Sequence, residues 1–439
     1  MIYYQKRLQE AVMKTHNIAD VFRPKTMPSY TYINRMADRA NGITYEAELK
    51  KALSNSGSLI SITGASKTGK TVLYNKVVDK DKIVNISGSQ IQEQKDFWGQ
   101  IAERLELPDE WQVDDLSQET TGTTISSKIK ATLQLIFSVE GAGSVQSQKT
   151  EGKTLSKRIV RTNSLIMQIL IKGGYVLVID DFHYIDSQVQ KYIARTLKAE
   201  LFYGLKAIVL SLPHRSDDAI KRNPDLIGRT TFIELEAWSD EDLKEIARKG
   251  FALLDIPISE EDIACIAQES ALSPQLMQEN CFNLAYRIAD SAEKKTANQL
   301  IGVAFFDTAE NYRHYNDTVR QVLEGPARGR SRRKQYHLKD NTVCDIYALL
   351  LVSISASPPT LKFSLDEISR RMVKVLDEGE TLPNRLGLSY IVKHIEKIIK
   401  SSIPDLDTVD WKGNTLYILD PFLLFYLRWG KNWRPDKRG

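Results

Sequence analysis

The chain has 439 residues, 42% of them hydrophobic and 26% charged, with 60 Lys and Arg against 56 Asp and Glu for a formal net charge of +4. This length allows two to four domains, and this composition is that of globular cores rather than of a disordered, collagenous or polyionic chain. No run of 18 apolar residues occurs, Met1-Ile2-Tyr3-Tyr4-Gln5-Lys6 has no apolar signal region, and Cys265, Cys281 and Cys344 form no Cys-x-x-Cys pair, so the expectation is a cytoplasmic protein without membrane span, disulfide framework or zinc site.

In chain order, residues 1–20 read as a helix with apolar points at Leu8, Val12 and Ile18, broken by Pro24 and Pro28. Residues 1–35 thus form an N-terminal helix and loop. The aromatics of Tyr30-Thr31-Tyr32-Ile33 suit either an adenine ring or the core, and the core is the simpler home for each. A helix over Glu46–Leu53 leads to the apolar strand Leu59-Ile60-Ser61-Ile62-Thr63.

Next comes Gly64-Ala65-Ser66-Lys67-Thr68-Gly69-Lys70-Thr71, running into Val72-Leu73-Tyr74. Strand, Gly-rich loop and helix with the spacing G-x-x-x-x-G-K-[ST] make a phosphate-binding loop. The glycines let successive backbone N–H groups turn inward onto phosphate oxygens, and the helix N-terminus adds partial positive charge. Gly64 through Val72 are the candidate nucleotide contacts. Within them, Lys70 would reach the β- and γ-phosphates and Thr71 would offer its hydroxyl to Mg²⁺.

A helix over Lys70–Asp79, a strand over Lys82–Ser87 and an amphipathic helix over Gln92–Leu105 continue the alternation expected of a parallel sheet. The stretch 108–157 is rich in Ser, Thr, Gln and Gly. It reads as an insertion outside the nucleotide core, with Ile129–Phe137 alternating as in a β-hairpin. A helix over 157–172 precedes the buried strand Tyr175–Ile179, which ends in Asp180-Asp181. An apolar strand closing on an acid pair, about 110 residues after a phosphate loop, is the second mark of a nucleotide site. Asp180 would hold Mg²⁺, and Asp181 would orient or deprotonate the attacking water.

A helix over Gln188–Glu200 and the strand Leu205–Leu212 follow, with Ser211, His214 and Arg215 at the strand's carboxyl end, the edge where doubly wound sheets bind ligands. Arg215 is the candidate γ-phosphate sensor. Arg222 or Arg229 would serve as an arginine finger in trans. The strand Thr230–Leu235 closes the core at residue 236. Ser239 and Asp242 cap the first of three helices, 240–254, 259–270 and 274–290, which begin a lid over 237–324. Pro274 opens the third at the N1 position.

The last part is basic: residues 328–439 hold 20 Lys and Arg against 13 Asp and Glu. Residues 325–340 read as a basic linker, with five positive charges in 328–334 that suit either nucleic acid or solvent. Helices over 342–353, 364–376 and 388–401, then a hairpin over Asp410–Ile418 turning at Lys412-Gly413-Asn414, give a winged-helix domain over 341–439. Lys393, His394, Lys397 and Lys400 lie on its third helix and suit phosphates better than base edges.

Residues 20–290 resemble the AAA+/STAND group of P-loop ATPases, on Gly64–Thr71, Val176–Asp181, the strand leading to Arg215 and the lid. The winged helix after the lid gives an order of parts similar to that of origin-recognition initiators. The resemblance implies ATP and Mg²⁺ as ligands, slow regulatory hydrolysis, a γ-phosphate role for Arg215, contact of Pro274 with the base, and homo-oligomers. Where many AAA+ members carry a sensor arginine after that proline, this chain has Gln275, which favours the STAND comparison. The expected fold is α/β: a P-loop αβα parallel-sheet core, an all-α lid and a winged helix. The expected function is a switch coupling nucleotide state to oligomerisation and to double-stranded DNA or a protein effector, in anti-phage defence or a mobile element. The rival is a DNA-binding initiator whose ATP is structural. A metabolic kinase has no place for the last two parts.

Overall fold

The computed structural model describes residues 16–65, 67–112, 127–140, 145–147, 157–212, 220, 226, 228–291, 295–326, 333–403 and 408–435. The chain divides into two compact units, Asn34–Glu236 and Met1–Ile33 with Ala237–Gly439.

In the first unit the order is α1 (Tyr45–Ser54), β1 (Ser58–Gly64), α2 (Lys70–Val77), β2 (Ile83–Ser87), α3 (Gln94–Arg104), β3 (Glu110–Gln112), α4 (Ser127–Glu140), β4 (Val145–Ser147), β5 (Lys157–Val160), α5 (Asn163–Lys172), β6 (Val176–Asp180), α6 (Ser187–Leu201), β7 (Lys206–Ser211) and β8 (Thr230–Leu235). Five of the strands form an all-parallel sheet in the order β8-β1-β7-β6-β2. This is the α/β core expected from the apolar runs.

Period-two alternation sorts each central strand onto two faces. Leu59, Leu177, Ile179, Ala207 and Val209 pack with Phe97 and Ile101 of α3, Ile169 of α5 and Ile193 of α6. Ile60, Ile62, Val178, Ile208 and Leu210 pack with Leu49 of α1 and Leu73 of α2 on the other face. Both faces are dry, which is why these strands read as continuous apolar runs. Each fully buried Leu, Ile or Val contributes about 1.5–3 kcal/mol, so the sheet is a rigid base for the loops at its carboxyl edge.

Two expectations are corrected in the insertion. Ile129–Phe137 is helical rather than a hairpin, because Ile129, Leu133 and Ile136 fall at i, i+4 and i+7 and are all buried. These three join the sheet core, so α4 lies against that core and not outside it. Residues 157–172 are not one helix either. β5 occupies 157–160 and pairs antiparallel with β3 and β4, and Thr162 caps the shorter α5 by accepting from Leu165 N–H.

In the second unit, residues 1–15 of the expected N-terminal helix lie outside the described residues, and Ile18–Val21 is helical behind the cap Asn17. After Glu236 come α7 (Asp240–Leu253), α8 (Glu260–Glu269), α9 (Pro274–Asp290), α10 (Ala297–Glu310) and α11 (Tyr315–Glu324). Ser239 caps its helix as expected, by accepting from Asp242 N–H, and Ser259 and Ser273 cap theirs in the same way. Then follow α12 (Ile346–Ser355), β9 (Lys362–Ser364), α13 (Leu365–Val375), α14 (Arg385–Ser402), β10 (Val409–Lys412), β11 (Thr415–Ile418) and α15 (Pro421–Trp429). The strands form an antiparallel sheet β9-β11-β10. One continuous core runs from Phe22 through Phe251, Leu276 and Phe305 to Ile368, Val392 and Phe425. Buried polar ties cross it: Arg428 of α15 is bidentate to Glu269 of α8, and Tyr315 of α11 donates to Asp420 before α15. Among the described residues no helix is long and apolar enough to cross a membrane.

Candidate nucleotide site

β1 is buried along its whole length and ends at Gly64. A Cβ there would lie 2.8 Å from Thr68 Oγ1 and 3.0 Å from Leu235 Cβ, so only glycine lets the loop leave β1 alongside β8. Lys67 and Gly69 both have left-handed backbones, φ 63° and 99°, a conformation of the kind found in anion-binding backbone nests. Gly69 is the N-cap of α2, and its carbonyl accepts from Leu73 N–H. Thr68 is buried and donates to Ala65 O at 2.9 Å, tying the loop across itself. Ser66 lies outside the described residues. Val72 follows on the first turn of α2 and is half-buried.

Lys70 folds back over this cradle and donates to Gly64 O and Ala65 O at 2.8 and 2.9 Å. Burial lowers the pKa of its ammonium, and the Asp180 and Asp181 carboxylates oppose that shift. β7 and β6 lie between β1 and β2 in the sheet, so β6 delivers the acid pair to the same edge. Thr71 Oγ1 donates to Asp180 Oδ2 at 3.4 Å. A hydroxyl and one carboxylate fit Mg²⁺, which takes few protein ligands and keeps waters and phosphate oxygens for the rest. Asp181 follows in the left-handed region at φ 54°. Burial raises the pKa of its carboxyl, and the neighbouring Asp180 carboxylate adds to this while Lys70 opposes it. A carboxylate whose proton affinity is raised is a better proton acceptor at neutral pH.

The other candidates are not all gathered at this edge. Ser211 ends β7 beside Thr63 and is buried. His214, Arg215 and Arg222 lie outside the described residues. Arg229 is exposed, and it precedes Thr230, which pairs with Leu59 at the amino edge of the sheet, the edge away from its own phosphate loop. Pro274 opens α9 in the second unit, beside the cap that Ser273 makes with Leu276 N–H.

The basic run is corrected where it is described. Arg333 is no free cation: it donates to Asp345 Oδ2, Glu324 O and Pro326 O at 2.7, 2.8 and 2.7 Å and lies 4.8 Å from the Tyr347 ring centre. Lys334 pairs with Glu380 at 3.0 Å. Arg333 thereby staples the end of α11 to the start of α12, while Lys334 ties the same segment to the loop after α13 through Glu380 and Thr381. Arg328, Arg330 and Arg332 lie outside the described residues. On α14, His394 bonds Tyr347 and Lys400 pairs with Glu396 and Asp410. Lys393 and Lys397 are exposed on one stripe with Leu386 and Tyr390.

Residue types alone could not point to Gly88, Gln100 and Gln190, which surround the acid pair. Gly88 follows β2, and its Cβ would meet the backbone of Asp181. Gln100 and Gln190 bond main-chain atoms next to the pair. Their only trace in the sequence is a polar side chain on each of two otherwise amphipathic helices.

No family model matches the sequence, and no curated protein matches it. Among solved structures, the chain is similar to the Cdc6 protein of Pyrobaculum aerophilum, at 14% identity and a TM-score of 0.41 over 93% of this chain and 96% of that one. It is similar to a Walker-type ATPase of Pyrococcus abyssi, at 12% and 0.43 over 90% and 96%, and to the ORC2 protein of Aeropyrum pernix, at 12% and 0.42 over 91% and 95%. The sheet order and the loop geometry carry the assignment without these likenesses: the chain is an α/β protein whose parallel sheet presents the Gly64–Thr71 loop and the Asp180–Asp181 pair at one edge.

Proposed function

We propose that the chain is a Mg²⁺-dependent ATP-binding and ATP-hydrolysing switch, whose nucleotide state governs homo-oligomerisation and the engagement of duplex DNA by its last hundred residues. The observation that supports this best is the meeting of Lys70, Thr71, Asp180 and Asp181 at one sheet edge, with the Thr71 hydroxyl 3.4 Å from the Asp180 carboxylate. The backbone of Gly64–Thr71 would hold the phosphates, and Lys70 would exchange the Gly64 and Ala65 carbonyls for β- and γ-phosphate oxygens. Thr71 and Asp180 would hold Mg²⁺, which supplies charge neutralisation on those phosphates. Asp181 would accept the proton of the attacking water. Arg215 as sensor, Pro274 against the base, and Arg222 or Arg229 as a finger from a neighbouring copy complete the proposal on resemblance.

The order helix, strand, helix, helix, hairpin in the C-terminal part is that of a winged helix, and Lys393 and Lys397 on α14 suit the phosphates of a duplex. A second reading is favoured by the same stripe. Leu386 and Tyr390 are 81% and 71% exposed, which suits a protein effector better than phosphates.

Light scattering of the full chain with ATP, with ADP, and with and without duplex DNA separates these readings. Assembly with ATP that reverts with ADP, together with salt-sensitive DNA retention, is expected. A monomer in every nucleotide state that binds DNA would leave the rival, a DNA-binding regulator with structural ATP. Absence of salt-sensitive DNA binding would leave the protein effector.

A further inference from the structure

We infer that Gly88 and Gln190 are positioning residues for Asp181, clamping from two elements the turn that carries its carboxylate. This rests on the role of Asp181 as proton acceptor proposed above.

The turn needs holding. Asp181 sits at φ 54°, ψ 36°, a left-handed conformation that is disfavoured for an L-residue. Such a conformation persists only where the surroundings over-determine it. Local bonds do part of this: Asp181 N–H donates to Asp180 Oδ1 at 2.9 Å, and Tyr184 N–H donates to Asp181 O at 3.0 Å. The remainder comes from outside the turn.

From α6, buried Gln190 donates through Nε2 to Phe182 O and Ile185 O at 3.1 and 3.0 Å. One amide group thus ties both ends of the turn that follows Asp181, and the Phe182 ring is fully buried beneath it. From the opposite side comes the end of β2. Ser87 pairs with Asp180 in the sheet, and Gln100 of α3 grips the Ser87 main chain, accepting its N–H at 2.9 Å and donating to its carbonyl at 3.2 Å. That grip presents Gly88 to the acid pair. A Cβ on Gly88 would lie 2.5 Å from Asp181 O, 2.8 Å from Asp181 C and 2.9 Å from Asp180 O. All three are backbone atoms, so relief requires the turn itself to move. Glycine is needed here for space.

The clamp acts on Asp181 and not on the phosphate loop. β2 is the edge strand next to β6, and β6 and β7 separate it from β1, which carries Gly64–Thr71. The loop is held by its own bonds through Thr68 and Lys70. Loosening the clamp therefore shifts the proton acceptor while leaving the phosphate cradle in place. A displacement of about 1 Å at a reacting group costs on the order of 100-fold in rate.

The test compares Gly88→Ala and Gln190→Leu with wild type, Lys70→Ala and Asp181→Asn in the full chain. Steady-state ATP turnover is measured beside the Kd of a fluorescent non-hydrolysable ATP analogue, whose binding at one per chain also reports a folded core. Both variants are expected to keep Kd within about threefold and to lose turnover by about tenfold or more. Unchanged turnover in a variant, with Asp181→Asn inactive, overturns that residue's assignment. Loss of analogue binding in both variants overturns it as well, because the clamp would then support the whole core. Undiminished turnover in Asp181→Asn would remove the proton acceptor, and the inference with it, a result distinct from the other two.

Discussion

Replacing Arg333 by alanine should cost the C-terminal unit about 3 kcal/mol and leave DNA retention unchanged. Its guanidinium serves Asp345, two main-chain carbonyls and the Tyr347 ring, and the Arg333 and Asp345 side chains are 10% and 16% exposed. The half-buried Pro326 carbonyl left without its donor costs about 1 kcal/mol, and the exposed Glu324 carbonyl, open to water, about 0.5 kcal/mol. The cation–π contact adds about 0.5–1 kcal/mol. The charge pair adds at most about 1 kcal/mol more, because Asp345 keeps its N-cap bonds from Tyr347 and Ala348 and is part-exposed. For a unit of this size, about 3 kcal/mol lowers Tm by roughly 6–12 °C, read by calorimetry. The comparison is Lys393→Glu with Lys397→Glu, both exposed on α14. That pair should leave Tm within about 2 °C, and each lost phosphate contact should flatten the dependence of log K on log salt by about 0.9. An Arg333→Ala protein with unchanged Tm, weaker DNA binding and a flatter salt slope would refute the staple and return Arg333 to the nucleic-acid interface.

Lys70→Ala should abolish ATP binding and with it the thermal shift that saturating nucleotide confers, about 2.7 kcal/mol at 100 times Kd; wild-type affinity would sink the phosphate-loop assignment. Asp181→Asn should bind ATP normally and turn over about 10²–10⁴-fold more slowly. The same change should raise the Tm of the nucleotide-free core, because burial and the Asp180 carboxylate disfavour the ionised Asp181. The sign in pH follows. The folded state holds this proton more tightly than the unfolded chain does, so the contribution of Asp181 to stability falls as pH rises from the ordinary value of 3.8 through the raised one, and the Asn variant lacks that fall. Turnover should accordingly show an acid limb above 3.8, measured in a pH–rate profile. Arg428→Ala should cost about 3 kcal/mol by leaving buried Glu269 without its counter-charge and with only the Trp429 Nε1–H donor, seen as faster hydrogen exchange in α8 and α15; exchange equal to wild type would show that the pair does not tie them.

Local chemistry made much of this protein legible. Each central strand is an apolar run because both sheet faces are covered, and Gly64–Thr71 is legible because only that spacing brings backbone donors, a lysine and a hydroxyl to one anion. Asp180 and Asp181 stand out because the last residue of a dry strand and the one after it are both acidic. The helix cap at Ser239 is equally local. Where two periods compete over a short stretch the reading failed. Ile129–Phe137 alternates as a strand would, yet Ile129, Leu133 and Ile136 satisfy a helix, and the sheet core available to bury them decided between the two. The 157–172 stretch shows the same effect in reverse, since pairing with β3 and β4 turned its first four residues into strand.

The sequence by itself determined the parallel core, the Gly-rich loop between its first strand and helix and the acid pair that ends a central strand, because each depends on residues adjacent in the chain or repeated at a fixed period. Tertiary structure alone decided how charged and polar residues are spent. Arg333 in a basic run became a staple because Asp345 and two carbonyls meet it from other segments. Gln190 and Gly88, ordinary by type, came to hold Asp181 because the sheet brings β2 and α6 to either side of the acid pair. Long-range partners cannot be read from spacing, and they fix whether a side chain faces a ligand, solvent or its own backbone.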